Sequence, residues 1–159
     1  MRATLPDLVD VAGSTGFDAV SITPAMYAGA LASGMSAGDI RRRCADAGVA
    51  VSLIDPLMSA LPGSPDPAGA GGRFGALFSY GEDDCYRIAA ALDVRTVNVA
   101  HYMGADVPVA ALIDALGALC GRAETQGCGC YWSSCPKVRC PTWPRRWPSC
   151  GRRAPRTLP

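Results

Sequence analysis

The apolar positions of this chain change period several times, and each change predicts an element. From Thr4, Leu5, Leu8, Val9 and Ala12 recur on one helical face. Thr4 stands at the N-cap and Pro6 in the first turn, while Gly13 and Gly16 predict the stop. Phe17–Thr23, "FDAVSIT", is a short apolar run that predicts a strand. Ser36 with Asp39 makes a capping box, Ile40, Cys44 and Ala47 form a buried stripe, and Gly48 ends that helix. Val49–Asp55, "VAVSLID", predicts a second strand. Residues 56–79 are rich in Pro and Gly and predict a long loop, a length typical of lids and mobile segments. "GEDDCYRIAAALDV" predicts a helix with Cys85, Ile88, Ala89 and Leu92 inside. "RTVNVAHYMG" predicts a strand that reaches its end at His101. Asp106 and Pro108 open a last helix with a stripe of Val109, Leu112, Ile113, Leu116, Leu119 and Cys120.

The strands are apolar nearly throughout, as in parallel sheets covered on both faces. The order of elements therefore reads as consecutive βα units. Neither a glycine-rich dinucleotide fingerprint nor a P-loop follows any strand, which argues against nucleotide binding. The chain has 159 residues, enough for one domain. No apolar run approaches the length of a membrane span, and no signal-peptide core follows Met1, so the expected location is the cytoplasm. Thiols stay reduced there, and Cys44, Cys85 and Cys120 read as small core residues. Arg41–Arg43 read as a solvated helix face.

Charge divides the chain. Residues 1–126 hold fourteen acids against eight arginines, a balance of −6. Residues 127–159 hold one lysine and six arginines with no acid, a balance of +7. That tail also holds five of the eight cysteines and all three tryptophans. Its thiols, beginning Cys128-x-Cys130 and continuing at Cys135, Cys140 and Cys150, lack the paired spacing of structural zinc sites. Interleaved Arg and Trp suit weak, salt-dependent polyanion binding, but several prolines argue against a packed helix. Zinc or nucleic-acid binding through this tail is thus an alternative function, nucleic acid being an unlikely partner, and a small α/β ligand-binding domain is another alternative. The main expectation is a disordered tail over 125–159 behind a domain at 1–124.

"LPDLVDVAGSTGFDAVSIT", "IRRRCADAGVAVSLID" and "ALDVRTVNVAHYMG", in that order, resemble the xylose-isomerase-like TIM-barrel family, the sugar-phosphate isomerases and epimerases related to endonuclease IV. The resemblance implies a partial (β/α) barrel with about three parallel strands and four helices, starting after the barrel's first strand and stopping near its middle. It implies a small sugar or sugar-phosphate substrate and, in the intact family, a divalent metal held by carboxylates and His on later strands. This chain holds no such metal set, so no metal residue or cofactor is assigned to it. Barrel active sites gather at the C-terminal ends of the strands. That places His101, Asp55 and Thr23 as substrate-side candidates; the plainer alternatives are a histidine satisfied by backbone and two loop or cap residues. An incomplete barrel would expose sheet edges and helix faces and self-associate.

The family's first metal carboxylate belongs to an "L-E-F"-like strand, due just after residue 124. The tail stands there instead. Read one base out of register, every codon leading into Cys or Trp ends in TG and encodes Leu, Met or Val. Cys128, Cys130 and Trp132 then mark alternating apolar positions, and Cys140, Trp143, Trp147 and Cys150 mark helical ones. "L-L-E-F" becomes available across Trp132 and Ser133. The expectation is a frameshifted tail and a chain with little or no activity; the gene's nucleotide sequence tests it.

Overall fold

The computed structural model describes residues 3–70, 72–101 and 105–134. The elements run α1 (Leu5–Thr15), β1 (Ala19–Ile22), α2 (Pro24–Ala32), α3 (Ala37–Asp46), β2 (Ala50–Leu57), α4 (Pro67–Ala70), α5 (Gly72–Phe78), α6 (Glu82–Leu92), β3 (Thr96–His101), α7 (Val109–Thr125) and β4 (Gly129–Ser134). All strands are parallel and lie in chain order, β1-β2-β3-β4. This is the βα arrangement that the apolar strands predict. The basic segment 135–159, expected to be disordered, lies outside the described residues, as do Tyr102–Gly104 of the predicted third strand segment. No helix among the described residues is long and apolar enough to cross a membrane.

Local chemistry sets the helix ends. Thr4 and Asp7 form a reciprocal capping box, as do Ser36 and Asp39. The carboxylates of Asp7 and Asp39 are held below the usual range, chiefly by the hydrogen bonds they accept from Thr4 and Ser36. Gly81 N–H donates to Asp84 at the start of α6 (3.0 Å), and Asp93 closes that helix at φ 56°. Gly16, at φ 79°, ends α1 in the left-handed turn that only glycine adopts without strain. Gly13 does not end it. It lies inside α1, and a Cβ there would stand 2.7 Å from the carbonyl oxygen of Ala47. Its role is close packing against the end of α3.

The helix layer has the same order as the strands, and an arginine pins each neighbouring pair. Arg43 of α3 pairs with Asp10 of α1 (2.5 Å), Arg41 of α3 donates to the Ala91 carbonyl of α6, and Arg122 of α7 grips Glu82 of α6 with two bonds of 2.6 and 2.8 Å. Beneath them Leu5, Val9, Ile40, Cys44, Cys85, Ala89, Leu92, Leu116 and Leu119 pack with Ile22, Ile54, Leu57, Val97 and Val99 of the strands in one cluster. Each fully buried aliphatic side chain there contributes about 1.5–3 kcal/mol. Burial pushes the Cys85 thiol up to about 12, with Asp84 and Glu82 adding to it, and also raises Cys44, Cys120 and Cys128. Cys44, Cys85 and Cys120 are packing residues, as read.

Four features depart from the expected pattern. Residues 24–32, left unassigned by periodicity, form α2 because Thr23 caps Pro24 and an alanine-rich run follows. The 56–79 loop is partly regular, with β2 reaching Leu57 and α4 and α5 following. Val109 and Ile113 of the predicted α7 stripe stand 43% and 39% exposed, while Leu116, Leu119 and Ala123 are buried. Among the described residues the count of three strands becomes four, because β4 forms within 125–134. Cys130 and Trp132 are good strand residues, and α7 delivers them beside β3, where Val97 pairs with Cys130 and Val99 with Trp132.

Candidate functional site

Side chains alternate across a strand, so the sheet has two unlike faces. On the helix side lie Ile22, Ile54, Val97 and Val99, with Cys130 and Trp132 packed against their cluster. The positions between them belong to the opposite face: Ser21, Asp55, Asn98, Tyr131 and Ser133. In a closed barrel that second face is the lumen.

Three of these residues meet. Asn98 Nδ2 donates to Asp55 Oδ1 at 2.5 Å and to Ser133 Oγ at 2.9 Å. The amide thus ties β2, β3 and β4 together on the side away from the helices. Asn98 is buried, and its Oδ1 has no hydrogen-bond partner among the described residues. An orphaned buried acceptor costs about 1–3 kcal/mol, so a fold that retains one gives it a use or bears a defect. Its two amide hydrogens are committed to Asp55 and Ser133, so any further partner of Asn98 must be a donor.

The predicted residues separate. Asp55 belongs to this row. His101 ends β3 but is buried, with Nε2 3.2 Å from the Pro62 carbonyl oxygen. A carbonyl only accepts, so that contact assigns the hydrogen to Nε2. The histidine fastens the stretch after β2 to the end of β3. Alongside it Ala105 N–H donates to Gly63 O (2.8 Å), and a Cβ on Gly63, at φ 79°, would meet Val107 Cγ2 at 2.5 Å. The first part of the long loop is therefore clamped over the strand ends, with Met58 and Leu61 buried beneath. Thr23 follows β1 and caps α2 by accepting from Met26 N–H (3.0 Å). It also lines a cleft of about 510 Å³ with Leu5, Pro6, Met26, Ala30 and Leu77. The cleft is mostly apolar and does not include Asp55 or His101.

Sequence reasoning missed Asn98 and Ser133. The signal for Asn98 was present: an amide between two valines in "TVNVAH" is a polar group in a buried run, and such a group needs partners. Ser133 was hidden by the assignment of its segment to a disordered tail. It occupies the position where the expected metal carboxylate falls in the shifted reading.

The described donor set does not fit a divalent metal. The row supplies one carboxylate, one amide and one hydroxyl, and among the described residues no group of three His, Cys, Asp or Glu side chains is placed to hold a metal ion.

No protein-family model matches the chain, and no curated protein matches it. Solved structures do. A xylose isomerase-like TIM barrel/4-hydroxyphenylpyruvate dioxygenase fusion protein aligns with a TM-score of 0.62 at 22% identity, over 84% of this chain and 20% of that one. The IOLI protein with a binding zinc atom aligns at 0.60 and 12% identity, over 84% of this chain and 47% of that one. A xylose isomerase domain containing protein from Salmonella typhimurium aligns at 0.59 and 12% identity, over 82% and 44%. The chain therefore spans a fifth of the first structure and just under half of the other two. The described residues have the fold of part of a xylose isomerase-like TIM barrel.

Proposed function

We propose that the chain is a sugar isomerase/epimerase-type partial barrel that holds a small polyhydroxylated molecule on its lumen face and by itself turns over little or none of it. The observation that carries the reading is the Asp55–Asn98–Ser133 row, with its unpartnered Asn98 Oδ1. Acceptors that lack donors suit a ligand rich in hydroxyls. The position suits it too, because the row crosses three parallel strands of a fold whose ligands bind at the strand ends. Thr23 and His101 act in this reading as supports, the first holding α2 and the second the loop after β2. Weak turnover follows from the chemistry present. Isomerisation moves a proton between adjacent carbons and needs a base and an acid facing each other, plus stabilisation of the developing oxyanion. Asp55 supplies one base, and its neighbours are an amide and a hydroxyl. Ser133 cannot replace the carboxylate that the family resemblance places on this strand.

The test is titration of the full chain with ketoses, aldoses and their phosphates by NMR, followed by incubation in D2O with Mg²⁺, Mn²⁺ or Zn²⁺ present. Saturable binding that weakens about tenfold in Asp55→Asn, the loss of one charge-assisted hydrogen bond, is expected. Deuterium incorporation at a sugar carbon is not expected. Absence of binding to every sugar refutes the ligand; metal-dependent exchange refutes the inactivity.

A further inference from the structure

We infer that Cys120 and Cys130 are a redox-responsive pair, which a small-molecule disulfide converts into an intramolecular disulfide that staples α7 to β4. The inference rests on the fold and not on the proposed ligand. The turn between the two elements sets the pair up. Cys128 N–H donates to the Ala123 carbonyl at 2.9 Å, so β4 starts beside the last turns of α7. Cys120 lies three residues before Ala123, on the same helical face and about 4.5 Å back along the helix. Cys130 lies two residues after Cys128, on the same strand face and about 6.6 Å forward. The chain reverses between them, so the two steps run alongside each other. Ala123 and Cys128 are buried in the core cluster, and Cys120 and Cys130 both pack against it. Their side chains meet there, joined by a hydrogen bond between Cys120 and Cys130.

The surroundings set this pair apart. Among the described cysteines, Cys44, Cys85 and Cys128 are buried, while Cys120 and Cys130 are half-buried and within reach of a small reagent. Arg122, which grips both carboxylate oxygens of Glu82, interacts electrostatically with Cys130, and Tyr86 belongs to the same group. A cation beside a thiol favours attack as the thiolate. Burial holds the Cys120 thiol up, and its bond to Cys130 offsets only part of that. Cys130 therefore attacks first. Its thiolate displaces one thiolate from the reagent disulfide and leaves a mixed disulfide. Cys120 then gives its proton to solvent and attacks the Cys130 sulfur, releasing the second thiolate. Two protein thiols are oxidised to one disulfide, and one reagent disulfide is reduced to two thiols. The staple holds β4, the strand that carries Ser133, against the helix layer.

The test incubates the reduced full chain with oxidised glutathione, blocks the remaining thiols and maps the linkages by proteolysis and mass spectrometry. Cys120 joined to Cys130 within one chain is expected, with dithiothreitol reversing the link. Amides of residues 129–134 should then exchange with deuterium more slowly by about tenfold or more, because the ring suppresses openings that part β4 from α7. The full chain carrying Cys135→Ser, Cys140→Ser and Cys150→Ser together should form the same link. Cys120→Ser should stop at the mixed disulfide of Cys130 with glutathione. Recovery of Cys120 and Cys130 as free thiols overturns the inference, and so does either one joined chiefly to another cysteine. A link that leaves exchange of 129–134 unchanged overturns the staple. A Cys120→Ser chain that takes up no glutathione at Cys130 overturns the order of attack.

Discussion

The two faces of the sheet come from the same strands, yet they answer to different forces. The helix side carries Ile22, Ile54, Val97 and Val99, each buried to 1% exposure or less. The other side carries Ser21, Asp55, Asn98 and Ser133, the last three joined through Asn98 by hydrogen bonds, with one acceptor left over among the described residues. The first face is satisfied by what the chain itself provides. The second is not. Stability is concentrated on one side, and unfinished polar chemistry on the other.

Substitutions on the two faces should therefore differ in size and in kind. Ile54→Ala removes a fully buried side chain at the centre of the cluster and should cost about 2–5 kcal/mol in urea unfolding. A loss under 1 kcal/mol would mean that the helix side is not the main core. Raising the pH attacks the same face without mutation. The Cys85 thiol ionises near 9 when unfolded and near 12 when folded. Its contribution is thus fully present below pH 9 and is lost as pH rises towards 12, with Cys44, Cys120 and Cys128 shifted in the same direction. Stability at pH 10.5 should be lower than at pH 8 by on the order of 2 kcal/mol, with alkylation of Cys85 detectable only after unfolding.

On the polar face, Asn98→Asp sets a second carboxylate beside Asp55. Two carboxylates so close cannot both ionise freely, so one takes up a proton in the folded state. The variant should lose about 1–3 kcal/mol at pH 7 and recover most of it as pH falls toward about 4, where the raised group is protonated in the folded state and about half protonated in the unfolded chain. A loss independent of pH would assign Asn98 a packing role only. Thr23→Ala should cost about 1 kcal/mol by removing the cap of α2, and it should leave sugar binding unchanged. Loss of binding without loss of stability would return Thr23 to the ligand site. The smallest effect belongs to the exposed rim. Glu82→Gln breaks the pair with Arg122 and should change stability by about 0.5 kcal/mol, diminishing further in high salt.

Much of this molecule was written locally. The capping boxes at Thr4 and Ser36 and the apolar runs at 19–22, 50–55 and 96–101 depend on neighbours within a few residues. Periodicity alone reads them, and the resemblance to xylose-isomerase-like barrels follows from their order. The site was less legible. Asp55 was visible as a carboxylate near the end of a strand, but its partner Asn98 lies 43 residues away on β3, and Ser133 on β4 joins the row only through Asn98. His101 ends β3 where the sequence suggests, but the atom its Nε2 meets is the Pro62 carbonyl oxygen, on a loop whose position no pattern encodes. Val109 and Ile113 fit the α7 stripe as well as Leu116 does; their exposure depends on which helices stand beside α7.

By itself the sequence determined the element types, their parallel order and the polar identity of positions 55, 98 and 133. The tertiary structure decided which polar groups meet, that β4 forms beside β3, and which apolar faces stay open. The physical reason is range. Helix caps and strand alternation are local and nearly additive, whereas partner choice and burial are set by residues far apart in the chain, brought together only when the sheet assembles.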